Sequence, residues 1–93
     1  MSAVTVERLR QLVQDALLPE TLELYDDSAA HSGHAGAREG KGHYRMRIVA
    51  SCFVGKRALD RHRLVNQAVG SLFETEVHAL AIEALTPEES RLT

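Results

Sequence analysis

Tryptophan is absent from this 93-residue chain, and two tyrosines and two phenylalanines are all the aromatic rings outside histidine. The core must therefore be aliphatic. Tyr25, Tyr44, Phe53 and Phe73 are too scattered to form a platform on which bases stack. One cysteine, Cys52, excludes an internal disulfide and fits a reducing compartment. It reads as a small residue at a strand end. No apolar run approaches the roughly 18 residues of a membrane span. The first residues lack the charged-then-apolar layout of a signal peptide and carry acids that transit peptides avoid, so the expected location is cytoplasmic. CxxC, HExxH and zinc-finger spacings are missing, which argues against a closed structural zinc site. Gly36 to Lys41 is one residue short of a P-loop, and no serine sits on a nucleophile elbow. Nothing in the sequence supports an enzyme.

What is present suits one small domain, residues 1–93. Hydrophobic residues make up 44% of the chain, enough for a single modest core. The net charge of -2 hides a segregation. The window Arg38–Arg63 carries +6, which leaves -8 on the rest. Such a window steers acidic partners or nucleic acid toward one surface, or simply solvates a face.

Periodicity orders the chain. Val6, Leu9, Val13, Ala16 and Leu17 mark a helix over 6–17, capped by Thr5 and stopped at Leu18-Pro19. Thr21 to Tyr25 alternates as a half-buried strand does. A glycine-rich loop over about 27–42 carries His31 and His34, and its length marks it as functional or mobile. From His43 to Ala50, Tyr44, Met46, Ile48 and Ala50 share one face, and His43, Arg45 and Arg47 share the other. Gly55 permits a turn. Leu64, Val65, Ala68, Val69, Leu72 and Phe73 form the stripe of a second helix. Val77–Leu85 reads as a buried strand, in which His78 would share a face with Leu80 and Ile82. Thr86-Pro87-Glu88-Glu89 is a helix start with the spacing of a capping box, and residues 90–93 fray. The order α-β-β-α-β-α predicts an α+β fold, a three-stranded sheet with helices on one face.

Five histidines supply the chemistry, since imidazole is a common metal ligand. His31 and His34 have a spacing that suits chelation, and His78 stands at the mouth of the last strand. Alone, each also reads as an ordinary solvated or packed histidine.

The stretches RHRLVNQAV, EVHALAIEALTPEE, LELYDDSAAHSGHAG and GHYRMRIVASCFVGKRALD together resemble the BolA family, over about residues 5–89. The resemblance implies a type II KH-like fold. It also implies a non-enzymatic adaptor that shares a [2Fe–2S] cluster with a monothiol glutaredoxin, glutathione being supplied through that partner. In the family the histidine opening the VHAL strand is a cluster ligand, which His78 matches. A loop histidine after D-S-x-x is the second ligand in one branch, and His31 matches it, with His34 a weaker candidate. Cys52 lies beyond the next strand and does not inherit the ligand role of another branch's cysteine. With two imidazoles from this chain, the remaining ligands must be thiolates from elsewhere.

The alternative is a DNA-binding transcriptional regulator. Lys56, Arg57, Arg61 and Arg63 lie at the turn and helix start that occupy the position of the KH clamping loop. That turn lacks the final glycine of GxxG, while the GxxG at Gly33–Gly36 falls between two strands. Without a partner the chain is expected to be a monomer or weak homodimer.

Overall fold

The alternation and helical stripes are realised in a computed structural model that describes residues 2–28 and 41–92. Its elements are α1 (Ser2–Leu17), β1 (Thr21–Asp26), β2 (Gly42–Val49), a 3-10 turn (Ser51–Phe53), α2 (Ala58–Phe73), β3 (Val77–Leu85) and α3 (Pro87–Arg91). This is the α-β-β-α-β-α order expected.

β2 is the central strand. β1 pairs with it antiparallel, from Thr21 opposite Val49 to Asp26 opposite Tyr44. β3 pairs with it in parallel, and α2 supplies the crossover that a parallel pair requires. Tyr44, Met46 and Ile48 point toward the helices, where they meet Leu9 and Val13 of α1 and Val65, Val69 and Leu72 of α2. Full burial of each such side chain is worth about 1.5–3 kcal/mol. Both helices lie on one face of the sheet, and His43, Arg45 and Arg47 occupy the other.

Three element boundaries follow local rules. α1 stops where Leu18 takes a left-handed φ of 49° immediately before Pro19, which disfavours the helical region in its neighbour. Gly55 has φ 79°, so the turn after β2 needs the residue found there. At α3, Thr86 and Glu89 form a complete capping box with Pro87 in the first turn.

Two expectations are corrected. Thr5 is no cap: α1 begins at Ser2, and Thr5 lies inside it, buried, donating its hydroxyl to Glu76 Oε1 at 2.7 Å. A carboxylate distant in sequence has claimed the side chain that local capping would use. The second correction concerns His78, which does not share the core face with Leu80 and Ile82. Opposite Gly42 stands Val77, but opposite His43 stands Ala79, so His78 is the extra residue of a β-bulge. A one-residue slip reverses the faces of everything before it. Val77 is thereby 1% exposed and in the core, and His78 is exposed. A regular strand would turn Val77 outward, losing about 1.5–2 kcal/mol, and would bury an imidazole at about 1–3 kcal/mol if it lacked a partner. The bulge costs roughly one ladder hydrogen bond, about 1 kcal/mol, so it is the cheaper arrangement.

Candidate functional site: a histidine rim

The bulge sits where β2 and β3 begin and β1 ends. Three constraints fix it. Gly42 N–H donates to Glu76 O at 3.0 Å, just before the bulge. Glu76 accepts from Thr5, and from Arg8 Nη1 at 2.6 Å, which ties the turn before β3 to α1. The Thr5 hydrogen bond first, and the Arg8 guanidinium second, hold the Glu76 carboxyl below the usual carboxylate range. Gly42 itself has no room for a side chain: an added Cβ would lie 2.6 Å from both Ser28 Oγ and Tyr44 Oη. Burial pushes the Tyr44 hydroxyl up, against hydrogen bonds with Thr5 and Ser28.

On this support stand two imidazoles. His43, the first residue of β2 on the open face, and His78, the bulged residue, have ring centroids 5.1 Å apart and planes tilted by 50°. His43 is half-buried and its Nε2 is buried, while His78 is exposed. His43 N–H donates to Ser28 Oγ at 3.1 Å, and its carbonyl accepts from Asp27 N–H at 2.7 Å.

The same residues anchor the loop. Ser28 N–H donates to Asp26 Oδ1 at 2.9 Å, and Lys41 Nζ donates to Phe73 O at the end of α2 at 3.2 Å. The segment between Ser28 and Lys41 thus leaves and rejoins the fold at the histidine rim. His31 and His34 belong to that segment and lie outside the described residues. His43 was not among the sequence candidates. Parity put it and His78 on opposite faces, and only the bulge brings them together. The order valine-then-histidine at the start of an apolar strand was the available signal.

The basic residues expected to contact nucleic acid lie at the other end of the sheet, roughly 23 Å along β2. Lys56 and Arg57 are exposed, and Arg63 is exposed beside Asp60 at 3.6 Å. Arg61 is a correction: its side chain is 13% exposed and turned inward. It donates to Lys56 O at 2.8 Å and Ala84 O at 3.0 Å, and grips Glu89 with Nη1 at 2.6 Å and Nη2 at 3.2 Å. The guanidinium first, and the Thr86 N–H second, pull the Glu89 carboxyl from 4.5 to about 2. Arg61 is a clamp between α2 and α3, because the capping acid offers a bidentate site that matches its fork. His62 is exposed. Cys52 is half-buried against the core in the 3-10 turn.

A hollow of about 360 Å³ on the open face is lined by Glu23, Tyr25, Arg45, Arg47, Ala81 and Glu83, among others. Its charges are matched from within. Arg47 faces Glu83 at 3.4 Å, and Arg45 stacks 5.4 Å over the Tyr25 ring while facing Asp27 at 3.7 Å. Among the described residues no helix is long and apolar enough to cross a membrane.

A small mixed three-stranded sheet with helices on one face defines the class of fold. Residues 13–89 match the family model described as BolA-like protein, and the chain belongs to the BolA family. It is 42% identical over 83 residues to BolA-like protein 1 of Mus musculus, covering 89% of this chain and 58% of that protein. Against the DNA-binding transcriptional regulator BolA of Escherichia coli K12 it is 34% identical over 83 residues, covering 89% and 76%. The solved BolA domain of SufE1 from Arabidopsis thaliana superposes with a TM-score of 0.81 at 36% identity, over 91% of this chain and 94% of that one. The chain spans little more than half the length of the mouse relative.

Proposed function

We propose that this chain is a non-enzymatic iron–sulfur adaptor. In this reading His78 and His31 join a [2Fe–2S] cluster shared with a monothiol glutaredoxin and its glutathione, for cluster delivery or iron regulation. The observation that carries it is the bulge, which turns His78 out to solvent at the rim where the loop bearing His31 is rooted. His31 follows Ser28 by three residues, a chain length of at most about 10 Å. Among the described residues no three His, Cys, Asp or Glu side chains gather as a metal site. A cluster here would therefore draw its remaining ligands from the loop and from a thiol-bearing partner. Imidazole in place of thiolate makes such a cluster less negative, raises its potential and favours passing it on. The proposed compartment is the cytoplasm, which a single half-buried cysteine fits.

The test is anaerobic co-purification with a monothiol glutaredoxin, iron, sulfide and glutathione, read by visible absorption and circular dichroism. His78→Ala is expected to change the spectrum and shorten the cluster's lifetime. A variant spectrum and lifetime equal to wild type would remove His78 from the ligand set.

A second reading, duplex-DNA binding, draws on the exposed Lys56, Arg57 and Arg63 and on the E. coli relative's name. Titration at two salt concentrations tests it. Affinity should fall with salt by about one log–log unit per phosphate contact. No binding at low salt counts against it.

A further inference from the structure

We infer that His43 is a positioning residue for His78, an inference that rests on the adaptor reading. The pair is asymmetric. His43 is held at its own backbone from both sides, by Ser28 Oγ and by Asp27 N–H, and its Nε2 is buried. His78 is exposed and sits on the bulged residue, where the ladder is locally disrupted. The ring contact at 5.1 Å and 50° gives the exposed imidazole a fixed wall. An exposed side chain otherwise samples several staggered rotamers. A ligand that must meet a metal within a few tenths of an ångström loses affinity with each one.

Two roles are open to a second histidine so close to a ligand: to bind the metal, or to hold the residue that does. The ring centroids alone permit either. A tetrahedral metal with nitrogens at about 2.0–2.1 Å would space two imidazole centroids by roughly 5 Å. The burial decides, because a ligand must present its nitrogen, and the outer nitrogen of His43 is covered. His43 also lies at the foot of the loop, next to Ser28. Its ring therefore stands between the backbone fixed at Ser28 and the exposed imidazole of His78. The contact needed is shape, which a ring without nitrogens also supplies.

Two variants separate the roles. In the full chain with a monothiol glutaredoxin and glutathione, H43F should keep the wild-type visible circular dichroism and a cluster lifetime within about twofold. H43A should keep a His78-type spectrum but shorten the lifetime by about tenfold, the lower end of what loss of a ligand's support usually costs. In the partner-free protein, nuclear magnetic resonance should show cross-ring contacts between His43 and His78 and a single His78 rotamer in wild type and H43F, with averaging in H43A.

The inference is overturned by any of three results. H43A leaves both lifetime and His78 order unchanged; H43F damages the cluster as much as H43A, which makes His43 a ligand; or the wild-type protein lacks the ring contact. The partner-free measurement stands even if His78→Ala leaves the complex spectrum unaltered, so failure of the positioning role and failure of the adaptor reading are distinguishable. It also decides the matter in wild type and H43F should H43A fail to fold.

Discussion

At the Gly42 end of the sheet, packing turns a polar side chain outward; at the Val49 end, it turns the most strongly paired charge inward. His78 is a residue whose neighbours in sequence are apolar, yet it stands in solvent because a bulge reverses its face. Arg61 belongs to a basic run, yet its guanidinium is spent on Glu89 and two carbonyls. The contrast teaches that the sequence surroundings of a polar side chain say little about its availability. Whichever partner offers more hydrogen bonds, or more apolar area, decides.

The sharpest way to disturb the histidine end is Gly42→Ala. Its methyl would press on Ser28 Oγ and Tyr44 Oη, and the expected loss is about 2 kcal/mol, roughly 10 °C in Tm, by thermal denaturation. His78 should become less ordered at the same time. If stability is unchanged, the rim is looser than described. At the other end, Arg61→Ala should cost about 1.5 kcal/mol, since it leaves the Ala84 and Lys56 carbonyls without this donor. A stable R61A protein that has lost DNA binding would reverse the contrast and show Arg61 acting outward.

Acid sharpens the same comparison. Glu89 has its folded pKa lowered from 4.5 to about 2, so its contribution is fully present above about 4.5 and is lost as pH falls through about 2. E89Q should flatten the stability profile across that window in acid titrations followed by circular dichroism. Glu76 is shifted in the same direction, so E76Q should remove a further part of the acid dependence, this part coming from the histidine end. The smallest effect is expected from K56A/R57A, less than about 0.5 kcal/mol in stability because both residues are exposed. Any loss of DNA affinity in that variant would then report binding alone.

Much of the fold was legible. Alternation in β2, the stripe of α2, the turn at Gly55 and the capping box at Thr86 are all local signals, and each is present where its pattern predicted. The histidine rim was legible only in part. His78 was readable as a candidate, but its exposure depends on a register slip against β2, a non-local event. His43 shows no partner in the sequence, since thirty-five positions separate it from His78. Thr5 and Arg61 were misread for one reason: Glu76 and Glu89, distant along the chain, compete successfully for groups that local rules assign to caps or solvent. His31 and His34 lie outside the described residues.

Ser28 and Lys41 each make their anchoring bonds with residues outside the segment they delimit. The described residues on either side of 29–40 are therefore held by the sheet and by the end of α2. Lengthening the insert is cheap in chain entropy, about 0.6 kcal/mol for each doubling. On the adaptor reading, a donor of another chemistry grafted between the same two posts would retune the cluster's potential while the sheet and the bulge stay as they are.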